Sequence, residues 1–194
     1  MLIKDFSFEG DVLDIVKAFE GRRHLFVLES SLFNQSRGRY SFMGFDPFDV
    51  IEGKHGDIYS KLREKFRLYA SDSQSTLTPL DSGMVGFLSY DYGLLQENIS
   101  RRPKNELPIP NYFFGCYDAI ITVDHLQKKL YVTSSGLPET NPSLKRIKAQ
   151  KRLNDIEKQL KTILEKDTAE KYFPARVTLD LRKEIRKSPA TLCR

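Results

Sequence analysis

The sequence of 194 residues is poor in cysteine and contains no long apolar run. Its two cysteines, Cys116 and Cys193, form neither a metal-binding spacing nor a disulfide framework. No apolar run approaches the roughly 20 residues that cross a bilayer, and the first residues contain no signal-peptide core. We therefore expect a cytoplasmic protein that does not enter membranes, with Cys116 as a small buried apolar residue.

The chain also lacks a charge excess outside its last residues. Its net charge is +5, and residues 171–194 contain seven basic and two acidic side chains, which account for all of it. A nucleic-acid-binding surface needs basic residues on a folded face with aromatic residues between them. The balanced body of the chain therefore argues against nucleic acid as a partner.

Familiar catalytic motifs are absent as well. The sequence has no Walker loop, no Gly-x-Gly-x-x-Gly before a helix, no Gly-x-Ser-x-Gly elbow and no His-Glu-x-x-His. The three histidines, His24, His55 and His125, are far apart, and turn chemistry after Asp124 explains His125 without catalysis. Since no nucleophile, base and orienting group come together, we expect no catalytic residue here.

What the sequence does contain is a series of short segments typical of a sheet with helices outside it. Apolar or alternating runs between turn residues predict strands, and stripes at helical spacing predict helices. The predicted helices are residues 11–19, 57–69 and 141–166, and the predicted strands are residues 24–29, 39–44, 48–52, 83–93, 112–124 and 129–134. No β-α-β alternation is present, so the predicted fold class is α+β with mainly antiparallel sheets.

Two polar segments lie at the ends of neighbouring predicted strands. One is Leu28-Glu29-Ser30, and the other is Gly38-Arg39-Tyr40-Ser41. A carboxylate, hydroxyl groups and a guanidinium therefore come to facing strand ends, which predicts a small polar pocket at the rim of a sheet. The plain alternative is a charged hairpin mouth with no ligand, because most polar strand ends are solvated loops.

These segments resemble the N-terminal region of chorismate-utilising component I enzymes, the family of anthranilate synthase and aminodeoxychorismate synthase. Later blocks agree in order and spacing, namely residues 83–93, Tyr117-Asp118 with Val123-Asp124-His125, and residues 134–139. Within the family, Ser-Tyr-Asp-Tyr-Gly followed by Gln-Glu is closer to the aminodeoxychorismate synthase branch.

The resemblance implies orthogonally packed β-sheets with flanking helices, as in the N-terminal part of anthranilate synthase component I. It implies chorismate as substrate, ammonia from a glutamine amidotransferase subunit, and Mg²⁺ as cofactor of the full-length enzyme. In this family the catalytic and magnesium-binding residues belong to the C-terminal portion. The resemblance therefore implies no catalytic residue, no metal ligand and no cofactor in this chain.

The domain organisation follows from the same resemblance. We expect a component I-like N-terminal domain at residues 1–166 and a basic tail at residues 167–194, at the junction to a missing chorismate-binding domain. From Ile185 onward the sequence departs from the family pattern, and Pro189 would break the expected helix. A truncated or shifted reading frame near residue 180 is one hypothesis for this departure.

The resemblance also implies a tryptophan-type pocket in the N-terminal portion. The corresponding residues are Glu29, Ser30, Arg37, Gly38, Arg39, Tyr40 and Ser41. An amino acid zwitterion needs an acceptor for its ammonium group, which Glu29 would supply, and donors for its carboxylate. Arg39 and the two serine hydroxyls would be those donors, while Tyr40 or Phe42 would stack on the ring.

Three functions agree with these residues. The first is the non-catalytic N-terminal portion of an aminodeoxychorismate synthase component I, which serves p-aminobenzoate and folate synthesis and is inactive alone. The second is the same portion of an anthranilate synthase, in tryptophan synthesis. The third is a stand-alone amino acid-binding or assembly module.

Overall fold

Eight strands and four helices make up the part of the chain that a computed structural model describes, residues 1–30, 37–70, 77–97 and 109–169. In chain order they are β1 (Leu2–Ser7), α1 (Val12–Ala18), β2 (Phe26–Leu28), β3 (Tyr40–Gly44), β4 (Asp49–Gly53), α2 (Ile58–Tyr69), β5 (Gly83–Leu88), α3 (Tyr90–Gln96), β6 (Tyr112–Tyr117), β7 (Ala119–Asp124), β8 (Lys129–Ser134) and α4 (Pro142–Ala169). All paired strands are antiparallel. The predicted α+β class with antiparallel sheets is confirmed.

The strands form two sheets. The five-stranded sheet has the order β1-β8-β7-β3-β2, and the three-stranded sheet has the order β4-β6-β5. The sequence pattern did not predict β1, because Lys4 and Asp5 interrupt its apolar residues and its partner β8 lies far along the chain. The predicted tail lies mostly outside the described residues, and α4 continues past the predicted boundary at residue 166 to Ala169.

Asp118 separates β6 from β7 and carries the chain from one sheet to the other. The apolar run predicted a single strand over residues 112–124, which is wrong. The Asp118 carbonyl accepts hydrogen bonds from the backbone N–H of Ser135 at 2.8 Å and from its Oγ at 3.1 Å, so the segment after β8 holds the bend. Since the residues of both strands are mostly buried, their apolar pattern is continuous and gives no sign of the break.

The predicted strand at residues 83–93 is also shorter than expected. It ends at Leu88, and α3 begins at Tyr90. Ser89 is the N-cap of α3, because its Oγ accepts the N–H of Tyr92 at 3.2 Å, and Asp91 adds a negative charge in the first turn. Tyr92 is buried with Ile51, Ile58 and Tyr112 beside the three-stranded sheet.

The main core lies where α1 and α4 pack on the five-stranded sheet. Asp11 caps α1 by accepting the N–H of Leu13 at 2.9 Å, as predicted. Leu153, Ile156 and Leu160 of α4 are buried in this core, each contributing about 1.5–3 kcal/mol. Ile147 was predicted on the same stripe but is 65% exposed, because it lies nine residues before Ile156 and therefore on the opposite side of the helix.

Two further expectations concern burial and membranes. Cys116 is buried, as predicted, and burial raises the pKa of its thiol to about 11, with the nearby Asp49 charge adding to the effect. The thiol is therefore protonated at neutral pH. No helix within the described ranges combines the length and the apolar character that crossing a membrane requires.

A cluster of five residues, Arg22, Phe45, Asp46, Asp118 and Arg152, joins α4 to the end of β3 and to the bend. We call it the Arg152 cluster. The Phe45 ring lies 4.9 Å from Cζ of Arg22 and 4.7 Å from Cζ of Arg152. Arg152 Nη2 donates to the Phe45 carbonyl at 2.8 Å, and its guanidinium lies 3.7 Å from the carboxylates of Asp46 and Asp118. Burial raises the pKa of Asp118, and the Arg152 charge partly offsets this effect.

The Arg152 cluster predicts a large effect of one substitution. We expect Arg152→Met to lower the free energy of unfolding by about 2–3 kcal/mol, because the Phe45 carbonyl loses its donor and Asp118 loses its counter-charge. Urea denaturation at pH 7 measures the change. Lys151→Met, at an exposed position of the same helix, is the matched control and is expected to change little. Equal midpoints for the two variants would contradict the assignment.

Candidate functional site

The polar ends of β2 and β3 lie side by side at an edge of the five-stranded sheet. Ser30 Oγ donates to the Tyr40 carbonyl at 2.7 Å, and the Ser30 N–H donates to Ser41 Oγ at 3.0 Å. Ser41 is buried, with only 1% of its surface exposed. The two segments therefore meet at facing strand ends, while their role in binding a ligand stays a prediction.

The guanidinium of Arg39 is held by a carboxylate that the sequence did not connect with it. Arg39 Nη2 lies 2.7 Å from Asp124 Oδ2, and Nε lies 3.1 Å from both carboxylate oxygens. The Arg39 side chain is 39% exposed, whereas that of Asp124 is 1% exposed. Arg39 Cζ also lies 4.7 Å from the centre of the Tyr40 ring, which stacks on Phe42 at 6.1 Å. Any ligand carboxylate at Arg39 would share the guanidinium with Asp124.

Asp124 accepts further hydrogen bonds in the turn between β7 and β8. Its Oδ1 accepts the N–H groups of Leu126 and Gln127, each at 3.0 Å. Burial of the carboxyl raises the pKa of Asp124, but the hydrogen bonds from Arg39 and these two amides outweigh it and leave the pKa below its ordinary value. The carboxylate is therefore ionised and paired at neutral pH.

His125 belongs to the same group, although the sequence assigned it to turn chemistry alone. Its Nε2 lies 2.8 Å from Ser41 Oγ, and its backbone N–H donates to the Arg39 carbonyl at 2.9 Å. The register of β3 with β7, which aligns Tyr40 with Asp124, places it there. In the sequence, Asp124-His125 offers a carboxylate and an imidazole that can bond the guanidinium and hydroxyl of Arg39-Tyr40-Ser41. This complementarity can be recognised only when β3 and β7 are known to pair.

The remaining predicted residues lie at the outside of the rim. Glu29 and Arg37 are exposed. Gly38 has φ +77°, a left-handed conformation that glycine adopts without strain. Residues 31–36, between these positions in the sequence, lie outside the described residues. The rim thus presents the Glu29 carboxylate to solvent.

An apolar cavity of about 480 Å³ lies next to the rim and is lined by residues of both sheets. The lining includes His24, Phe26, Leu28, Glu52, Val85, Phe87 and Phe113. The Phe113 ring centre lies 6.2 Å from that of Phe87 and 4.9 Å from that of His24. Leu28 is 49% exposed and Phe87 is 43% exposed, so the cavity is open. Its volume is within the range of about 300–1,000 Å³ that small-molecule sites occupy.

A metal centre needs several His, Cys, Asp or Glu side chains grouped around one point. Within residues 1–30, 37–70, 77–97 and 109–169, no group of three or more His, Cys, Asp or Glu side chains is arranged to hold a metal ion. No set of magnesium ligands is therefore present within these described ranges.

Comparison with known proteins decides the family. Residues 28–184 match the model of a family described as chorismate binding enzyme. The chain belongs to this family. The match includes the whole rim of β2 and β3, and it confirms the relationship that the motif blocks indicated.

Relatives from both branches of this family are similar to the chain. Aminodeoxychorismate synthase component 1 of Bacillus subtilis is 28% identical over 131 residues, which cover 60% of this chain and 27% of that protein. Anthranilate synthase component 1 of Bacillus caldotenax is 26% identical over 174 residues, which cover 77% of this chain and 34% of that protein. The chain therefore spans about a quarter to a third of the length of these relatives.

A solved structure has the same fold. Anthranilate synthase component I from Streptococcus pneumoniae superposes with a TM-score of 0.53 at 21% sequence identity, over 68% of this chain and 33% of that one. The two antiparallel sheets with flanking helices thus resemble the fold of about one third of that structure.

The Asp124 pair predicts a pH-dependent effect. A carboxyl whose folded-state pKa is lowered adds stability above its unfolded-state pKa of about 3.9, and this is lost as the pH falls through the folded-state value. We expect Asp124→Asn to lower the free energy of unfolding by about 2–3 kcal/mol at pH 7. The difference from the unchanged chain should shrink below about pH 4.

Denaturation with urea between pH 3 and pH 7 measures this effect. Asp5→Asn is the matched control, because Asp5 pairs with Lys129 on the same sheet at 2.8 Å but is exposed. It is expected to change stability little at any pH. A constant difference for Asp124→Asn across the whole range would contradict the assignment.

Proposed function

We propose that this chain forms the non-catalytic N-terminal portion of an aminodeoxychorismate synthase component I. In the full enzyme, chorismate and ammonia give 4-amino-4-deoxychorismate, the precursor of p-aminobenzoate for folate. The observation that carries the proposal is the family match over residues 28–184, which contains the polar residues of the β2–β3 rim and strands β3 to β8. Similarity to the Bacillus subtilis aminodeoxychorismate synthase component 1 supports this branch.

The second candidate is the corresponding portion of an anthranilate synthase component I. It is favoured by similarity to relatives of that name from Bacillus caldotenax and from Saccharomyces cerevisiae, the latter 30% identical over 118 residues. The two candidates differ in product and in regulation. Only the second predicts inhibition by tryptophan once the full enzyme is assembled.

The rim and the cavity together suit an amino acid of the tryptophan type. The exposed Glu29 carboxylate would pair with the ammonium group, and the aromatic ring would enter the cavity beside Leu28 and Phe87. The Arg39 guanidinium, which lies over the Tyr40 ring, would be shared between Asp124 and the ligand carboxylate. Ser30, whose N–H is held by the buried Ser41 hydroxyl at 3.0 Å, would complete the polar wall.

The remaining components belong to the full-length enzyme. We propose a glutamine amidotransferase subunit as the source of ammonia and Mg²⁺ as the cofactor of the catalytic portion, in a cytoplasmic complex. No step of the reaction is assigned to a residue of this chain. Its part is to complete the fold of component I and to provide the pocket.

Genetic complementation tests the proposed activity. In cells that lack aminodeoxychorismate synthase component I, we expect this chain alone to give no growth without p-aminobenzoate, because the relatives it matches are three to four times its aligned length. The intact Bacillus subtilis protein is the positive control. Growth with this chain alone would contradict the proposal.

A chimera separates the two branches. Residues 1–166 of this chain would replace the matching region of the Bacillus subtilis aminodeoxychorismate synthase component 1. We expect this chimera to restore growth without p-aminobenzoate. The equivalent chimera in the Bacillus caldotenax anthranilate synthase component 1 is expected not to restore growth without tryptophan. The reverse pattern would support the second candidate instead.

Tryptophan binding by the chain itself is expected to be weak or undetectable. The cavity is open at Leu28 and Phe87, and Glu29 is exposed, so charged hydrogen bonds to a ligand would compete with water. Isothermal titration calorimetry with tryptophan measures the affinity, and Glu29→Gln serves as the matched control for any heat observed. A low-micromolar dissociation constant that Glu29→Gln abolishes would contradict this expectation.

A further inference from the structure

The turn between β7 and β8, residues 124–128, makes hydrogen bonds to Arg39 and Ser41 of the candidate site. The Asp124 carboxylate holds the Arg39 guanidinium, and the His125 backbone holds the Arg39 carbonyl. The His125 ring reaches Ser41 Oγ, which in turn accepts the N–H of Ser30. The polar residues of the rim are therefore connected to one distant turn.

The hydroxyl of Ser41 is the central atom of this connection. A serine hydroxyl has one proton to donate and can accept hydrogen bonds on its oxygen. The Ser30 N–H uses the oxygen as acceptor at 3.0 Å, and His125 Nε2 lies 2.8 Å away. If His125 carries its proton on Nδ1, Nε2 accepts the Ser41 O–H, and both the proton and the oxygen of the Ser41 hydroxyl have a partner. This arrangement directs the Ser41 oxygen toward Ser30.

The charged side chains near His125 pair with one another and not with Ser41. The His125 ring is therefore the side-chain group that bonds the Ser41 hydroxyl. Arg39 and Asp124 pair with each other at 2.7 Å, and Lys128 pairs with Glu9 at 3.0 Å. Glu29 is exposed beyond Ser30. Among the described residues, the hydrogen bonds of Ser41 Oγ join it to Ser30 and His125.

We propose that His125 is a positioning residue of the candidate site. In its Nδ1–H tautomer, Nε2 of His125 accepts a hydrogen bond from the Ser41 hydroxyl. Ser41 Oγ then accepts the Ser30 N–H and fixes the backbone position of Glu29 and Ser30 at the rim. The inference rests on the proposed function only in treating this rim as the ligand pocket. Its effect on the rim exists without ligand, so the test needs none.

Amide hydrogen exchange, followed by NMR on the full 194-residue chain, tests the positioning. We expect the Ser30 amide to exchange about tenfold faster in Ser41→Ala and in His125→Phe, the loss of roughly one hydrogen bond. The double variant should be no faster than Ser41→Ala alone, because His125 acts through Ser41. His125→Gln should restore slow exchange, since its side-chain amide reaches Ser41 and offers an acceptor.

Controls separate positioning from general loss of stability. The Ser89 amide, which donates to the Asn111 carbonyl at 2.8 Å just beyond the ends of β5 and β6, should keep its exchange rate in every variant. His55→Phe, at an exposed histidine between β4 and α2, should leave the exchange rate of the Ser30 amide unchanged. Additive effects of His125→Phe and Ser41→Ala would overturn the inference.

The tautomer of His125 provides a second measurement that needs no substitution. Nitrogen-15 shifts of the unchanged chain should show that the neutral form of the His125 ring carries its proton on Nδ1 and has an unprotonated Nε2. A proton on Nε2 would overturn the inference even if His125→Phe failed to fold. Failure of either measurement leaves the growth tests of the proposed function unaffected, and failure of those tests leaves the positioning unaffected.

Discussion

The buried carboxylate of Asp118 lies where the chain leaves one sheet and enters the other, and the guanidinium of Arg152 faces it at 3.7 Å. A buried charge without a partner costs several kcal/mol, so the bend and α4 depend on each other. Arg152 also donates to the Phe45 carbonyl at the end of β3. One helix residue therefore holds together the strand that carries the rim, the bend between the sheets and the main core.

The candidate site depends on this arrangement through strand register. β7 begins directly after Asp118 and pairs with β3 so that Tyr40 lies opposite Asp124. A slip of one residue would turn every side chain of β7 to the other face and would separate Asp124 from Arg39. The position of the bend thus determines which residues of the turn reach the rim. The geometry of the site is a property of both sheets and not of the β2–β3 hairpin alone.

Much of this structure is encoded in short stretches of sequence. The cap at Asp11, the helix after Asp57 and the two polar segments at the ends of β2 and β3 follow from neighbouring residues, and their patterns predicted them. The break at Asp118 and the start of α3 were missed for physical reasons. A buried strand looks apolar on both sides of a bend, and a serine cap at Ser89 competes with the strand pattern around it. Partners such as Asp124 for Arg39 depend on pairing across 85 positions, which local patterns do not contain.

The edge pairing of β1 with β8 has a consequence for the growing chain. Leu2 pairs with Ser134 of β8, so β1 leaves the ribosome well before its partner strand has been synthesised. At synthesis rates of about 5–20 residues per second, β1 remains without its partner for on the order of ten seconds. During that time its backbone groups are open to other strands. Lys4 and Asp5 interrupted the apolar pattern of β1, so the strand was not predicted. The same two charged side chains disfavour pairing of the unpaired strand with another chain.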